Sequence, residues 1–290
     1  MTHLVSDKSN IRLDIFLTET LGRSRSAVQQ LVKQKCVSVN GETKGKSFLM
    51  SEGDVVVIKE PEPQEPVLVD HGFSLNILYE DNDIMLINKP SGLMVHPGEN
   101  QKTICLSHLL QAYTDQLSTL SGEERSGIVH RLDQFTEGIM LIAKNNDAHE
   151  DLKEQFKNRE IQKRYYAAVA GSPVWNHCEI DRAIGRHPSH RTKMAVVKGG
   201  AGDGKSAYTY AEVLKRFGTK TLLDVIPKTG RTHQIRVHLQ DIGFPVIQDP
   251  VYGRGKGSGQ LLQAYFLAFR HPTSGESVSV EMRKSKRLRC

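Results

Sequence analysis

Two stretches of this 290-residue chain concentrate side chains able to do chemistry. The first is Gly127-Ile-Val-His-Arg-Leu-Asp-Gln-Phe-Thr-Glu-Gly138. It sets His130, Arg131 and Asp133 on a short loop between apolar segments, where flanking strands can hold it rigid. A carboxylate beside a guanidinium stays ionised, because the opposite charge favours the charged form. An ionised carboxylate can serve as nucleophile or base. A salt-bridged turn would give the same string without catalysis, so this stretch alone leaves both readings open. The second stretch is Lys228-Thr-Gly-Arg-Thr-His-Gln-Ile-Arg-Val-His-Leu239. Gly230 lets the backbone approach a ligand or a neighbouring strand closely. From Thr232 polar and apolar residues alternate, which predicts a strand. One face would carry Thr232, Gln234, Arg236 and His238, the other His233, Ile235, Val237 and Leu239. Arg236 is then an arginine able to meet a carboxylate. His233 and His238 would point to opposite faces, so a shared metal ion is not expected.

These loops need a scaffold. Ile84-Met-Leu-Ile87 reads as a buried strand running into Asn88-Lys-Pro-Ser-Gly92, a turn by its proline and glycine. Ile139-Met-Leu-Ile-Ala143 reads as a second buried strand. Asp147 is a candidate cap for a helix reaching Phe156, with Ala148, Leu152 and Phe156 at fourfold spacing. Tyr165–Ala170, Tyr208–Leu214, Thr221–Ile226 and Ser277–Met282 read as further strands. Strands clustered without regular helix alternation argue for an α+β fold with a mixed, mainly antiparallel sheet, not a doubly wound one.

Ahead of this body, Glu60–Asp70 holds three prolines within six residues, the composition of an extended linker. The expected organisation is therefore a small domain over 1–60, a linker over 61–76 and a larger domain over 77–290. In the small domain Asn10 is a candidate helix cap before Leu13, Phe16, Leu17 and Leu21. Ser24 or Ser26 can cap a second helix, with Val28, Leu31 and Val32 on its apolar face. Cys36-Val-Ser-Val-Asn-Gly41 is a strand ending in an Asn-Gly turn, and Asp54–Ile58 a closing strand. Arg23, Arg25 and Lys33 cluster on the second helix, whose positive N-terminus could grip phosphate together with them, although a solvated basic helix end gives the same pattern.

Net charge +6 and a pI near 9.0 favour a polyanionic partner, although ordinary solubility accounts equally for that balance. No apolar run approaches the length of a membrane span, and Met1–Asp7 lacks the pattern of a signal peptide. Four scattered cysteines (Cys36, Cys105, Cys178 and Cys290) suggest neither disulfides nor zinc, which fits a reducing cytoplasm.

Arg12-Leu-Asp-x-Phe-Leu17, Ser24-Arg-Ser-x-Val-Gln-x-Leu31 and Val37-x-Val-Asn-Gly41 together resemble the S4 RNA-binding domain. His130-Arg-Leu-Asp-x-x-Thr-x-Gly138 and Gly230-Arg-Thr-His-Gln-Ile-Arg-Val-His238 resemble the RluA family of pseudouridine synthases. Asn88–Gly92, Val95-His-Pro-Gly98, Lys163-x-Tyr-x-Ala-x-Val-x-Gly171 and Gly243-x-Pro-Val-Ile-Gln-Asp-x-x-Tyr-Gly253 follow in the family's order. The layout is similar to the branch that modifies large-subunit ribosomal RNA. The resemblance implies uridine isomerisation in structured RNA, without metal or nucleotide cofactor. It implies Asp133 as catalytic carboxylate, Tyr165 as the tyrosine against the target base, and Arg236 as the arginine paired with Asp133. Arg131 would displace the base from its stack and Ile235 would floor the pocket, with His130 and Arg231 completing a substrate-binding set. The alternative is a noncatalytic RNA-binding or ribosome-assembly factor that has kept the fold.

Several positions depart from the family pattern: Lys35 and Gln248 replace glycines, Glu137 a serine and Gln263 a histidine. Glu137 could raise the pKa of Asp133 if it faced the pocket; an outward orientation is expected. Gly199-Gly-Ala-Gly-Asp-Gly-Lys-Ser206 matches the phosphate-binding pattern G-x-x-x-x-G-K-S. A true phosphate loop opens a helix at its Lys-Ser end, whereas Ala207–Val213 alternates like a strand, so a hairpin loop is expected and the rival reading of a nucleotide-dependent enzyme built on it is disfavoured. The tail Met282–Cys290 carries five basic residues, suiting either added RNA affinity or a solvated end.

Overall fold

The computed structural model describes residues 2–21, 28, 31–32, 35–59, 73–97, 103–190, 193–197, 204–254 and 257–288. The chain divides into two compact units, Met1–Val69 and Asp70–Cys290. Arg23, Arg25 and Lys33, the two candidate caps Ser24 and Ser26, the proline-rich stretch and Gly199–Asp203 lie outside the described residues.

In the first unit, β1 (Thr2–Val5), β5 (Val55–Ile58) and β3 (Val37–Val39) form an antiparallel sheet in the order β1-β5-β3. β2 (Ile11–Arg12) pairs with β4 (Leu49–Met50), and α1 spans Leu13–Leu21. Alternation puts Val37, Val39, Val56 and Ile58 inward against Leu13, Phe16 and Leu17 of α1, with Val28 and Leu31 completing the core. Asn40 and Gly41 have φ of 51° and 84°, the left-handed pair that a two-residue hairpin turn requires. Asn10 does not cap α1. It has φ 61° and precedes β2, which intervenes before the helix.

Lys35 also has a left-handed backbone, with φ 59°, so this chain makes its turn with a lysine where the resemblance has glycine. A Cβ in that region costs about 1–2 kcal/mol, part of which glycine returns in unfolded-state entropy. Lys35→Gly is therefore expected to stabilise the first unit by roughly 0.5–1 kcal/mol. Urea unfolding followed on that unit's transition would register it, and an unchanged midpoint would mean that the turn carries no strain.

The second unit is built on one nine-stranded sheet. It contains β6 (Ile77–Glu80), β7 (Ile84–Lys89), β8 (Glu137–Ala143), β9 (Gln162–Ala170) and β10 (His177–Asp181). A separate two-stranded sheet pairs β11 (Ile184–Arg186) with β12 (Met194–Val196). The large sheet continues with β13 (Tyr208–Phe217), β14 (Lys220–Pro227), β15 (Leu262–Arg270) and β16 (Ser277–Glu281). The order is β10-β13-β14-β9-β15-β8-β7-β6, with β16 also on β15. Every pairing is antiparallel except β8 with β15. The fold is thus α+β, with the mainly antiparallel sheet that the strand pattern predicts.

The continuous apolar runs of β7 and β8 arise because both sheet faces are covered. Met85, Ile87, Met140 and Ile142 pack toward α2 (Leu106–Tyr113). Ile84, Leu86, Ile139 and Leu141 pack toward Ala148 and Leu152 of α3 (Asn146–Asn158). The cap of α3 is Asn145, whose side chain accepts from Ala148 N–H at 2.9 Å, and not Asp147, which lies in the first turn.

The main difference from the sequence pattern is α4, Gln234–Asp241, a helix where alternation suggested a strand. Alternation here does not separate two faces, since all of Gln234 to Leu239 is buried. The polar members are held by partners. Gln234 bonds to Thr229, Tyr208 and Thr209, and His238 to Thr209 and the Arg182 carbonyl. Gly204–Ser206 lead directly into strand β13, so no helix opens at the Lys-Ser end of the glycine-rich loop.

Candidate active site

The loop before β8 is pinned from several sides. His130 Nε2 accepts the Leu141 N–H at 2.8 Å, and its ring packs on Phe156 at 4.8 Å between centroids. Burial, with Lys163 adding to it, lowers the His130 pKa to about 3, so the imidazole is neutral. Beneath the loop, Lys89 is fully buried, and its Nζ donates to the carbonyls of Pro90, Leu93 and Gln134 at 2.8–2.9 Å. Ser91 Oγ donates to the Phe135 carbonyl, and Gly92 N–H to that of Gln134. The Asn88–Gly92 turn is therefore the bed on which residues 133–136 lie. Gly138 closes the loop with φ 119°; a Cβ there would come within 2.1 Å of the Ala264 carbonyl oxygen. Only glycine lets β8 and β15 meet at that point.

Asp133 projects from this loop, and its side chain is 20% exposed. Arg236 Nη1 donates to Asp133 Oδ2 at 2.7 Å. The rest of the Arg236 guanidinium is clamped by Asp249, with Nε to Oδ2 at 2.7 Å and Nη2 to Oδ1 at 2.9 Å. Asp249 also accepts the backbone N–H groups of Val251 and Tyr252. Burial works against charge on Arg236, but the two carboxylates outweigh it and raise its pKa above the ordinary value. Burial likewise opposes ionisation of Asp249, and Arg236 overrides it, holding the carboxyl below the usual range. Helix α4 thus delivers an arginine that is 4% exposed with its charge fully met.

His233, at the N-terminus of α4 with φ 57°, places Nε2 4.0 Å from Asp133 Oδ1. Tyr252 Oη accepts the Met194 N–H at 2.8 Å and is hydrogen-bonded to His233 Nδ1 at 2.9 Å, which holds the ring with Nε2 turned toward Asp133. The sequence reading missed both Asp249 and the His233–Tyr252 pair as parts of this site. The available signal was the Asp249-x-x-Tyr252-Gly253 part of the motif quoted above, which contains Asp249 and Tyr252 without showing what they hold.

Tyr165 stands on β9 and packs against two core clusters, one of which contains Ile235. Burial first, and then the Asp133 charge, push its pKa above 10. Arg131 is exposed, and its Nη1 lies 3.1 Å from His96 Nε2. Arg231 is anchored by Nε to the Ser206 carbonyl at 3.0 Å. All seven site residues taken from the sequence (His130, Arg131, Asp133, Tyr165, Arg231, Ile235 and Arg236) line one cavity of about 1430 Å3.

The departures from the family pattern have structural answers. Gln248, like Lys35, takes the left-handed backbone that glycine would, with φ 59°. Glu137 accepts from Ser285 Oγ at 2.5 Å and lies 3.9 Å from Arg287. Gln263 accepts the Ser285 N–H and donates to the Arg283 carbonyl. The replacements at 137 and 263 therefore hold the described part of the basic tail, residues 282–288, in which Leu288 is buried.

Comparison with known proteins identifies the class as an RNA-modifying synthase. The RNA pseudouridylate synthase family profile matches residues 83–241, and the S4 domain profile matches residues 11–56. An uncharacterized RNA pseudouridine synthase of Bacillus subtilis is 41% identical over 279 residues, covering 95% of this chain and 91% of that protein. Ribosomal large subunit pseudouridine synthase D of Neisseria meningitidis serogroup B is 39% identical, covering 93% of this chain and 75% of that protein. Among solved structures, human RNA pseudouridylate synthase domain containing 1 superposes with a TM-score of 0.60 at 26% identity, covering 77% of this chain and 86% of that one. The chain belongs to the RNA pseudouridine synthase family and carries an S4 domain. Among the described residues no helix is long and apolar enough to cross a membrane.

Proposed function

We propose that this synthase converts specific uridines of large-subunit ribosomal RNA to pseudouridine in the cytoplasm, with Asp133 as the reacting carboxylate. The observation that carries this is the clamp: a buried arginine, neutralised by Asp249, presents Asp133 to a cavity of about 1430 Å3 beside Tyr165. The large-subunit substrate is supported by the Neisseria relative's name. The residues 1–60 unit, with Arg23, Arg25 and Lys33, would grip the RNA, and 61–76 would link it to the catalytic unit 77–290.

The chemistry needs no net redox change. Either Asp133 attacks C1′ and displaces N1 of uracil, or it takes a proton from the sugar and the base departs by elimination. The freed uracil turns and C5 bonds to C1′, expelling the Asp133 carboxylate on the first route or with Asp133 returning the sugar proton on the second, and the proton lost from C5 is balanced by one gained at N1. The target base must first leave its stack, at a cost of a few kcal/mol. Arg131, exposed at the cavity edge, can fill the vacated space with its planar guanidinium. Ile235 and Tyr165 wall the base, Arg231 lines the entrance, and His130 holds the loop. The noncatalytic alternative keeps the same RNA contacts and loses only the conversion.

Site-resolved pseudouridine mapping of total RNA tests this reading, using cells lacking the gene complemented with wild type or Asp133→Asn. Large-subunit sites should vanish and return only with wild type. Sites restored equally by both proteins would end the assignment of Asp133, and no changed site would favour the binding factor.

Tyr165 gives a pH prediction. Burial and the Asp133 charge hold its hydroxyl protonated beyond its ordinary 10. Its neutral form is therefore fully present through the neutral range and is lost only above that value. Single-turnover rates should show no alkaline limb from Tyr165 up to pH 10. A limb with a lower midpoint that Tyr165→Phe abolishes would overturn this.

A further inference from the structure

Lys163 is a cation whose role the chemistry above does not use. It lies on β9 two residues before Tyr165, hence on the same face and about 7 Å away along the strand. Its side chain reaches the same cavity as Asp133, Tyr165 and Arg131. On one side its Nζ lies 5.7 Å from the centre of the Phe156 ring. Near it stands the His130 ring, which is neutral. Gly230 is also near, where an added Cβ would stand 3.9 Å from Nζ. The ammonium is therefore walled by an aromatic ring, an uncharged imidazole and bare backbone.

Among the described residues, no carboxylate forms an ion pair with Lys163, and burial alone accounts for its lowered pKa. Other cations around the cavity are differently placed: Arg236 and Arg164 have carboxylate partners, Lys157 pairs with Glu154, Arg131, Arg159 and Lys228 are exposed to water, and Arg231 donates to the Ser206 carbonyl. Taking a lysine out of water without an anion is costly. A protein that keeps such a charge open to its substrate cavity has a counter-charge arriving with the substrate. In RNA the anion nearest a base and sugar is the phosphodiester next to them.

We propose that Lys163 binds a phosphodiester flanking the target uridine, fixing the sugar over Asp133 while the base packs beside Tyr165. This rests on the synthase reading above and adds to it a defined contact to the RNA backbone. One charge-assisted hydrogen bond of this kind corresponds to roughly tenfold or more in affinity.

The test is a binding cycle between protein and backbone. Synthetic hairpins with a single loop uridine, taken from the mapped sites, each carry one uncharged methylphosphonate at successive positions around that uridine. Wild type should lose roughly tenfold or more at one position. Lys163→Met should show the same loss on the unmodified hairpin, no further loss at that position, and a salt slope shallower by about 0.7. Lys163→Arg should keep the wild-type profile. The free Lys163→Met protein should melt no lower than wild type, because an unpaired desolvated charge has gone. A lower melting temperature with unchanged affinity would assign Lys163 to the fold and overturn the proposal, as would parallel methylphosphonate profiles for wild type and Lys163→Met. Because the cycle reads binding, it stands apart from the parent reading. Coupling without conversion by wild type would defeat the synthase assignment alone, and conversion with no coupling would defeat the phosphate contact alone.

Discussion

Asp133→Asn is expected to bind RNA like the wild type and to form no pseudouridine, with the single-turnover rate down on the order of 10⁴-fold or more. Asparagine keeps the shape of the side chain and an oxygen for Arg236 Nη1, so the local geometry survives. It loses the charge that attack at C1′ or removal of a sugar proton requires, and it does so on either route. The arginine is not stranded by the change, because Asp249 still holds it through Nε and Nη2. The folded state should accordingly lose little, and melting of the variant checks that. Residual turnover above about a tenth of wild type would mean that another group reacts with the sugar, a margin far inside the effects seen when a reacting group is removed. Equal losses in binding and turnover would show that the substitution disturbed recognition, not chemistry.

The strands were legible because their apolar runs are bounded by clear turns. Ile84–Ile87 and Ile139–Ala143 are buried on both faces, and their pattern says so directly. The Asn40-Gly41 turn was legible because few residue pairs accept two left-handed conformations in succession. The segment carrying Arg236 was misread for an identifiable reason. Periodicity reports burial only when polar residues mark solvent, and Gln234, Arg236 and His238 are polar yet buried, each satisfied by partners far along the chain. The same long-range logic hid Lys89, whose hold on Gln134 spans 45 residues. Asp249 was visible as a letter in a motif but not as a clamp, since its link to Asp133 runs through Arg236. The family resemblance named seven side chains, and the fold brings them to one cavity and supplies the bonds that aim them.

The second large effect lies at that hidden clamp. Asp249→Asn is expected to lower the single-turnover rate about 100-fold and to leave RNA affinity within a few fold. The cause is positional. Arg236 is aimed by two parallel bonds to Asp249, whose own carboxylate is fixed by two backbone N–H groups, and only the third bond reaches Asp133. An amide in place of the carboxylate turns an NH2 donor toward the guanidinium or toward those N–H groups, so one of the contacts must break. The guanidinium then swings toward its remaining carboxylate, and Asp133 leaves its line to the sugar; a misplacement of about 1 Å accounts for the loss. Breaking a buried charge pair also costs about 3–5 kcal/mol of stability, so the variant should melt markedly lower. Arg236→Lys should behave alike, because an ammonium cannot reproduce the two-pronged contact. The pair of substitutions separates a working unit from two independent supports. If Arg236 and Asp249 act only through Asp133, the double variant should turn over about as slowly as the worse single one. Losses that multiply would mean that Asp249 serves the reaction by a second path, for which the nearest candidate is the backbone it holds at Val251 and Tyr252, and through Tyr252 the orientation of His233.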